Sequence, residues 1–322
     1  MAGMMTVFRK ELSDHLGSKR FLILFAIIIL LSTLSAYQGA DYIKNNPDAG
    51  FLAIFSGGRL AFSFISLMVY FGPLVGLALG FDSINKERTS GSLSVLLTYP
   101  IFRDSVFNGK FLAGVAAIAS LVGGTIIIMC GIATPLLGFG PTLEQMVSIV
   151  ALTLLTILYL AFWLSLGLLF SVLAKKTSTS MLASIATWLF SVMIVSVIAA
   201  LVASLMVPLP FQPLGAPENF RGFGQATQTE EYRSLMQARS EIQTNIGRIS
   251  PSNLYNEAAS SILGLRASAF FVVGGMQQQI RPSLAQGIAA SWPQVLAIFV
   301  GMLACFVISY LRFLRLEIRP GG

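Results

Sequence analysis

Six long apolar runs, each bounded by polar residues, set the pattern of the chain: 21–37, 60–81, 111–139, 146–174, 181–207 and 295–310. A helix needs about 20 apolar residues to cross a bilayer, so each run reads as a transmembrane span. Gly72-Pro73 predicts a bend in the second run, with either a packing or a working role. Gly123-Gly124 in the third permits close helix contact, and Pro135 weakens its end. Residues 138–144 are few enough to make the third and fourth spans a tight hairpin. A very short basic turn, Lys175-Lys176-Thr177-Ser178, leads into the fifth.

The stretches between the runs carry their own periodicities. In residues 1–20, Met5, Phe8, Leu12 and Leu16 recur at helical spacing opposite Arg9, Lys10, Glu11, Ser13 and Asp14, the pattern of an interfacial helix. A cleaved signal peptide would have a short, purely basic start, so the first run is read as an uncleaved span. After the fifth run, Pro208, Pro210, Pro213 and Pro217 break the helix, and polar residues dominate 208–292. Within this insertion Thr227 and Glu230 suit a capping box ahead of Tyr232, Leu235, Met236, Ile242 and Ile246, with Gly247 as the stop. Ser250-Pro251 then opens a second helix whose Leu254, Tyr255, Ala258, Ala259 and Ile262 share one face. Residues 262–276 turn apolar again, but Arg266 and Gly274-Gly275 favour a re-entrant helix over a full crossing. The fold expected is an all-α polytopic membrane protein: 1–20, then 21–207 with five spans, the helical insertion 208–292, and 293–322 with the sixth span and a tail.

Composition agrees, with 55% hydrophobic and 11% charged residues and a mean hydropathy of +0.77, far from a soluble domain. The net charge of +7 does not point to nucleic acid, because the basic residues sit at the ends of apolar runs and not in a stripe. Arg9, Lys10, Lys19, Arg20, then Lys86, Arg88, Arg103, Lys110, then Lys175, Lys176, and finally Arg312, Arg315 and Arg319 all fall on one side of a six-span topology. By the positive-inside rule that side is the cytoplasm, with both termini there and 208–292 outside, in the cell membrane. Cys130 and Cys305 lie inside spans, and His15 is the single histidine, so no zinc-ligand spacing arises.

The segment 85–103, NKERTSGSLSVLLTYPIFR, lies between the second and third spans and is organised differently from either. Gly91 can adopt the left-handed conformation that ends a helix after Glu87 and Arg88. Ser92 can cap a new turn, Leu93, Leu96 and Leu97 fall on one face, and Pro100 stops it. The result is a short amphipathic helix lying where membrane meets water. These residues, with Arg103 as the basic residue that follows, fit the pattern E-R-x-x-G-S/T-L-x-x-L-L-x-x-P of the cytoplasmic coupling helix, and the chain resembles the ABC-2 family of ABC transporter permeases. The resemblance covers nearly the whole layout, with residues 1–20 as the family's elbow helix and an external insertion between spans five and six. It implies a docking site for ATPase subunits at Glu87, Arg88, Gly91, Ser92, Leu93, Leu96, Leu97, Pro100 and Arg103. Lys175 and Lys176 form either a second, smaller contact or a plain topology signal. It also implies two separate ATPase subunits holding ATP and Mg, a second permease copy, most simply a homodimer, and export as the direction. The insertion is larger than in the family's smaller members and suits either cargo or an external protein.

The chain itself has no P-loop of the form G-x-x-x-x-G-K-S/T. Gly109-Lys110 comes nearest, but Asp104 and Phe111 occupy the wrong places. If ATP powers the protein, a separate polypeptide must carry out its hydrolysis, and no cofactor is expected on this one. The runs contain no ionisable residue at depth, which argues against an ion-coupled carrier, and no acid pair or Ser/His grouping for hydrolysis. Polarity within them is confined to residues such as Ser63, Ser66, Tyr70, Thr153, Thr156 and Tyr159, which serve either helix-to-helix hydrogen bonding or a pathway for an apolar or amphiphilic cargo. The function expected is a non-catalytic permease subunit of an ATP-driven exporter. The alternative is a stand-alone secondary transporter or channel; a non-transporting scaffold would leave 85–103 unexplained.

Overall fold

The computed structural model describes residues 2–46, 49–56, 63–91, 102–208, 230–264 and 284–315, and they are helical throughout, with no strand among them. In chain order the helices are α1 (Ala2–Gly17), α2 (Lys19–Asn45), α3 (Phe64–Gly80), α4 (Asn85–Thr89), α5 (Arg103–Leu137), α6 (Leu143–Leu173), α7 (Thr177–Leu189), α8 (Val195–Met206), α9 (Glu230–Gly247), α10 (Pro251–Ile262) and α11 (Leu284–Leu314). A π-helical turn, Phe190–Ile194, joins α7 to α8. Six stretches are long and apolar enough to cross a membrane: Lys19–Asn45, Phe64–Thr89, Arg103–Leu137, Leu143–Leu173, Thr177–Met206 and Gln286–Leu314. The protein is thus the all-α, six-span membrane protein that the apolar runs predict.

The local signals act where they occur. Ser18 and Ser63 accept hydrogen bonds from the Phe21 and Ser66 amides and so cap α2 and α3. Gly138, at φ 76°, ends α5 in the left-handed region, and Thr142 with Gln145 forms a reciprocal capping box opening α6. α9 stops at Gly247 and α10 starts at Pro251, as expected. The capping box of Thr227, and nearly all of the re-entrant stretch, lie outside the described residues. α11 begins before its apolar run and continues through Pro293, so Leu284 to Trp292, taken in the sequence as the end of the insertion, belong to the same helix as the last span.

Two compact units are present. In the smaller, 189–254, Ser191 and Ser250 exchange hydrogen bonds through Oγ at 2.9 Å and through the Ser191 carbonyl at 2.8 Å. The larger, 1–188 with 255–322, is centred on the pair α3 and α6. These two helices come closest at Gly72, Gly76 and Gly80 on α3. A Cβ on Gly76 would lie 2.6 Å from the Leu160 carbonyl oxygen, and one on Gly80 would lie 2.7 Å from that of Leu164. Small residues at every fourth position let two helix backbones touch, the usual device where no hydrophobic force separates protein from lipid. Gly123, by contrast, has no neighbour within 4 Å, and Gly124 meets only Phe25 at 3.8 Å, so the close contact expected of that pair is made elsewhere.

Pro73 lies inside α3. Lacking an N–H, it leaves the carbonyl four residues earlier without its helical donor. That carbonyl belongs to Val69, and the Tyr159 hydroxyl of α6 donates to it at 3.2 Å. Tyr159 is fully buried and stacks on Tyr255 of α10 with ring centroids 4.4 Å apart. The Tyr255 hydroxyl in turn meets Thr156 at 3.0 Å. Breaking of α3 by proline and its repair by tyrosine are one arrangement.

Candidate functional site

At one end of the larger unit the start of α2, the end of α3, α4, the start of α5 and the α6–α7 turn are knitted together. Ser171 Oγ accepts from the Ile84 and Asn85 amides, each at 3.0 Å, and Asn85 Nδ2 donates to the Ala174 carbonyl at 2.8 Å. Ser180 Oγ donates to the Phe81 carbonyl at 2.7 Å, while Arg20 pairs with Asp82 at 2.9 Å and covers the Phe81 ring. The turn after α3 and the basic turn before α7 are therefore held as one surface.

Beneath that surface lies a charged cluster. Lys110 of α5 reaches Glu11 of α1 at 3.0 Å and Glu87 of α4 at 2.8 Å; its side chain is 2% exposed, theirs 10% and 18%. Lys10 adds a second ammonium to Glu11 at 3.1 Å and pairs with Asp14 at 3.5 Å. Two ammonium groups thus face the two carboxylates Glu11 and Glu87. Burial of such ions costs several kcal/mol each, which excellent geometry must offset, so the cluster gives little net stability but defines a single arrangement of α1, α4 and α5. A charge-free third span begins only at Phe111. The helix starts eight residues earlier, at Arg103, and so carries Lys110 within it.

α1 reaches the cluster by an unexpected face. Met5 and Leu16 of its apolar stripe stay exposed, whereas Val7 and Glu11 are buried. Val7 meets Gly109, where a Cβ would lie 2.9 Å from its Cγ1. Glycine beside Lys110 is what lets α1 lie close enough for Glu11 to reach the ammonium.

The electrostatics give a pH dependence. Burial alone would raise the Glu11 carboxyl, but Lys110 and then Lys10 more than reverse this and hold it below its ordinary value. Burial pushes His15, one turn along α1, below its own ordinary value, against the pull of Glu11. In both cases the unfolded chain takes up the proton first as pH falls, so acidification destabilises the fold. The loss begins as pH drops through the ordinary histidine range and resumes as it drops through the ordinary carboxylate range. Melting midpoints followed against pH are expected to lose the upper step in His15→Gln and the lower step in Glu11→Gln. Unchanged profiles in both variants would place the titrating groups elsewhere.

The residues singled out in 85–103 fall as follows. Glu87 is turned inward onto Lys110, and Arg88 is exposed. Gly91 has φ 74° and donates its amide to the Arg88 carbonyl at 3.3 Å. Arg103 opens α5, where Nη1 donates to the Leu314 carbonyl at 3.3 Å and ties it to the end of α11. Ser92, Leu93, Leu96, Leu97 and Pro100 lie outside the described residues. Lys175 and Lys176 are exposed at the α6–α7 turn.

Among the polar residues of the spans, Ser63 and Ser66 share a hydrogen bond at 2.8 Å. Thr153 and Thr156 donate back along α6 to Ile149 and Leu152, each at 2.7 Å. Tyr159 serves Val69, while Tyr70 is half-buried on α3. Glu11, Asp82, Asn85, Lys110, Ser171 and Ser180 join these elements, and the sequence marks none of them as a site residue.

The family model described as ABC-2 family transporter protein matches residues 5–318. A probable ABC transporter permease protein NosY from Pseudomonas aeruginosa is 36% identical over 120 residues, 37% of this chain and 42% of that protein. The protein of the same description from Stutzerimonas stutzeri is 34% identical over 119 residues, 36% of this chain and 41% of its own length. The match spans about two fifths of the length of each relative. With its six apolar spans and a match to the family along nearly its whole length, the chain belongs to the ABC-2 family of transporter proteins as a multi-pass membrane permease.

Proposed function

We propose that this chain is the membrane subunit of an ATP-driven transporter whose ATPase subunits dock on 85–103 and on Lys175-Lys176. The observation that carries the reading is the joining of those two elements through Asn85, bonded to Ser171 and Ala174, with α4 anchored to α1 and α5 through Lys110. A push on such a surface moves three spans together. Two ATPase chains hold ATP and Mg and pair with two copies of the permease; hydrolysis in them drives export, or moves an external protein held by 208–292. The docking end, with residues 1–20 as an elbow helix at the interface, faces the cytoplasm with both termini, and the hydroxyl residues of α3 and α6 border the pathway.

The test is a Leu96→Asp/Leu97→Asp variant, which places two charges on the apolar face expected to meet the ATPase. Copurification of the ATPase chain is expected to be lost while the permease keeps its melting midpoint. Retained assembly with unchanged ATP turnover would overturn the docking assignment. Ion-gradient-driven flux in liposomes containing this chain alone would overturn the ATP-driven reading altogether.

A further inference from the structure

Beside the ion cluster a cleft of about 490 Å³ opens between α1, the first turns of α2 and the last turns of α3. That volume is in the range of small-ligand sites. Its two halves differ in chemistry. Phe21 and Leu24 of α2, with Val75, Ala78 and Leu79 of α3, line it with apolar surface, and each of these belongs to a membrane-spanning helix. Toward the helix ends the lining becomes charged, with five cations against four carboxylates. Lys110 and Lys10 meet Glu11, Glu87 and Asp14, and Arg20 meets Asp82. Lys19 and Lys86 remain, both exposed and without an ion pair among the described residues.

Surplus positive charge at the rim and hydrocarbon at the floor, at the end of two spans, is the complement of one kind of molecule. We infer that the cleft binds an anionic phospholipid, its phosphate between Lys19 and Lys86 and the upper part of an acyl chain along Phe21, Leu24 and Val75. Basic pockets between spans at the membrane surface recognise acidic headgroups in this way. A free phosphate or a soluble nucleotide would satisfy the lysines but leave the apolar floor wetted. A zwitterionic lipid would fill the floor and bring a phosphate, but its own cation would leave the surplus positive charge of the rim uncompensated. The site does not depend on an ATPase partner, only on the chain spanning a membrane, so its failure and that of the docking assignment are read separately.

The experiment uses the full chain, purified in detergent and mixed with phosphatidylglycerol or phosphatidylcholine, with retained lipid counted by native mass spectrometry. The wild type is expected to retain phosphatidylglycerol in preference. Lys19→Ala/Lys86→Ala is expected to lower that preference on the order of ten-fold, the effect of two cations near a charged surface, and Lys19→Arg/Lys86→Arg to keep it. Lys44→Ala, an exposed lysine at the opposite end of α2, controls for general charge and is expected to leave it unchanged. Ala78→Phe, which fills the floor while sparing both lysines, is expected to reduce retention of either lipid. Equal retention by the wild type and the double alanine variant would overturn the site, as would equal losses in that variant and Lys44→Ala. Displacement of phosphatidylglycerol by inorganic phosphate as effectively as by excess phosphatidylglycerol would overturn the lipid and leave an anion site.

Discussion

Lys110→Met is expected to cost about 3 kcal/mol or more, because it leaves the Glu11 and Glu87 carboxylates with their shared cation gone. The partial exposure of Glu11 and Glu87 lets water screen some of the repulsion, which places the loss toward the lower end of the range for broken buried pairs. Against a typical total of about 5–15 kcal/mol this is a large fraction. Detergent-solubilised variant should melt well below the wild type and elute as a broader species. Adding Glu11→Gln and Glu87→Gln to Lys110→Met should recover much of the loss, since neutral amides need no buried cation. A variant that melts with the wild type, or one that the two amides fail to rescue, would show that the ions do not fix the arrangement of α1, α4 and α5.

Gly76→Leu should be comparably severe for a different reason. Its Cβ would lie 2.6 Å from the Leu160 carbonyl oxygen, 2.8 Å from Trp163 Cβ and 3.0 Å from the Leu164 amide. Two of these atoms are backbone and cannot rotate aside, so α3 and α6 must separate. Overpacking of this sort costs about 1–3 kcal/mol even for modest additions, and separation also strips Tyr159 from Val69. Gly76→Ala is expected within that range and Gly76→Leu beyond it, read as a falling melting midpoint. Gly123→Ala supplies the contrast: it sits in a helix with open space around it. Better helix propensity should there leave the midpoint unchanged or raise it, by up to about 1 kcal/mol. Equal destabilisation at Gly76 and Gly123 would refute the assignment of the close contact to α3 and α6.

The contrast between Gly76 and Gly123 shows where the chain could be read and where it could not. Apolar runs and turn residues act locally, so the six spans, the short connection at 138–144, the positive φ at Gly91 and the α9–α10 break at Gly247 and Pro251 were all legible. Which glycine meets another backbone depends on the partner helix. The adjacent pair Gly123-Gly124 is the more conspicuous in the sequence, whereas Gly72, Gly76 and Gly80, spaced by four, carry the signal for a helix stripe. Lys110 was hidden by its neighbours: standing just before an uncharged run, it looked like one more boundary lysine. Its partners lie 23 and 99 positions away in the chain, and no periodicity links them. Glu11 was likewise assigned to the polar side of α1, since only the presence of a buried cation makes that side the one to bury.

The proline in α3 has one further consequence. The oxygen it deprives is served by a tyrosine of α6, and that ring is stacked in turn against a residue of α10. A substitution at Tyr255, which makes no hydrogen bond to α3, would therefore be felt at the weak joint of that helix two side chains away. Mutational tolerance at Tyr255 is set as much by the hydrogen bond missing at Pro73 as by the packing of α10 itself.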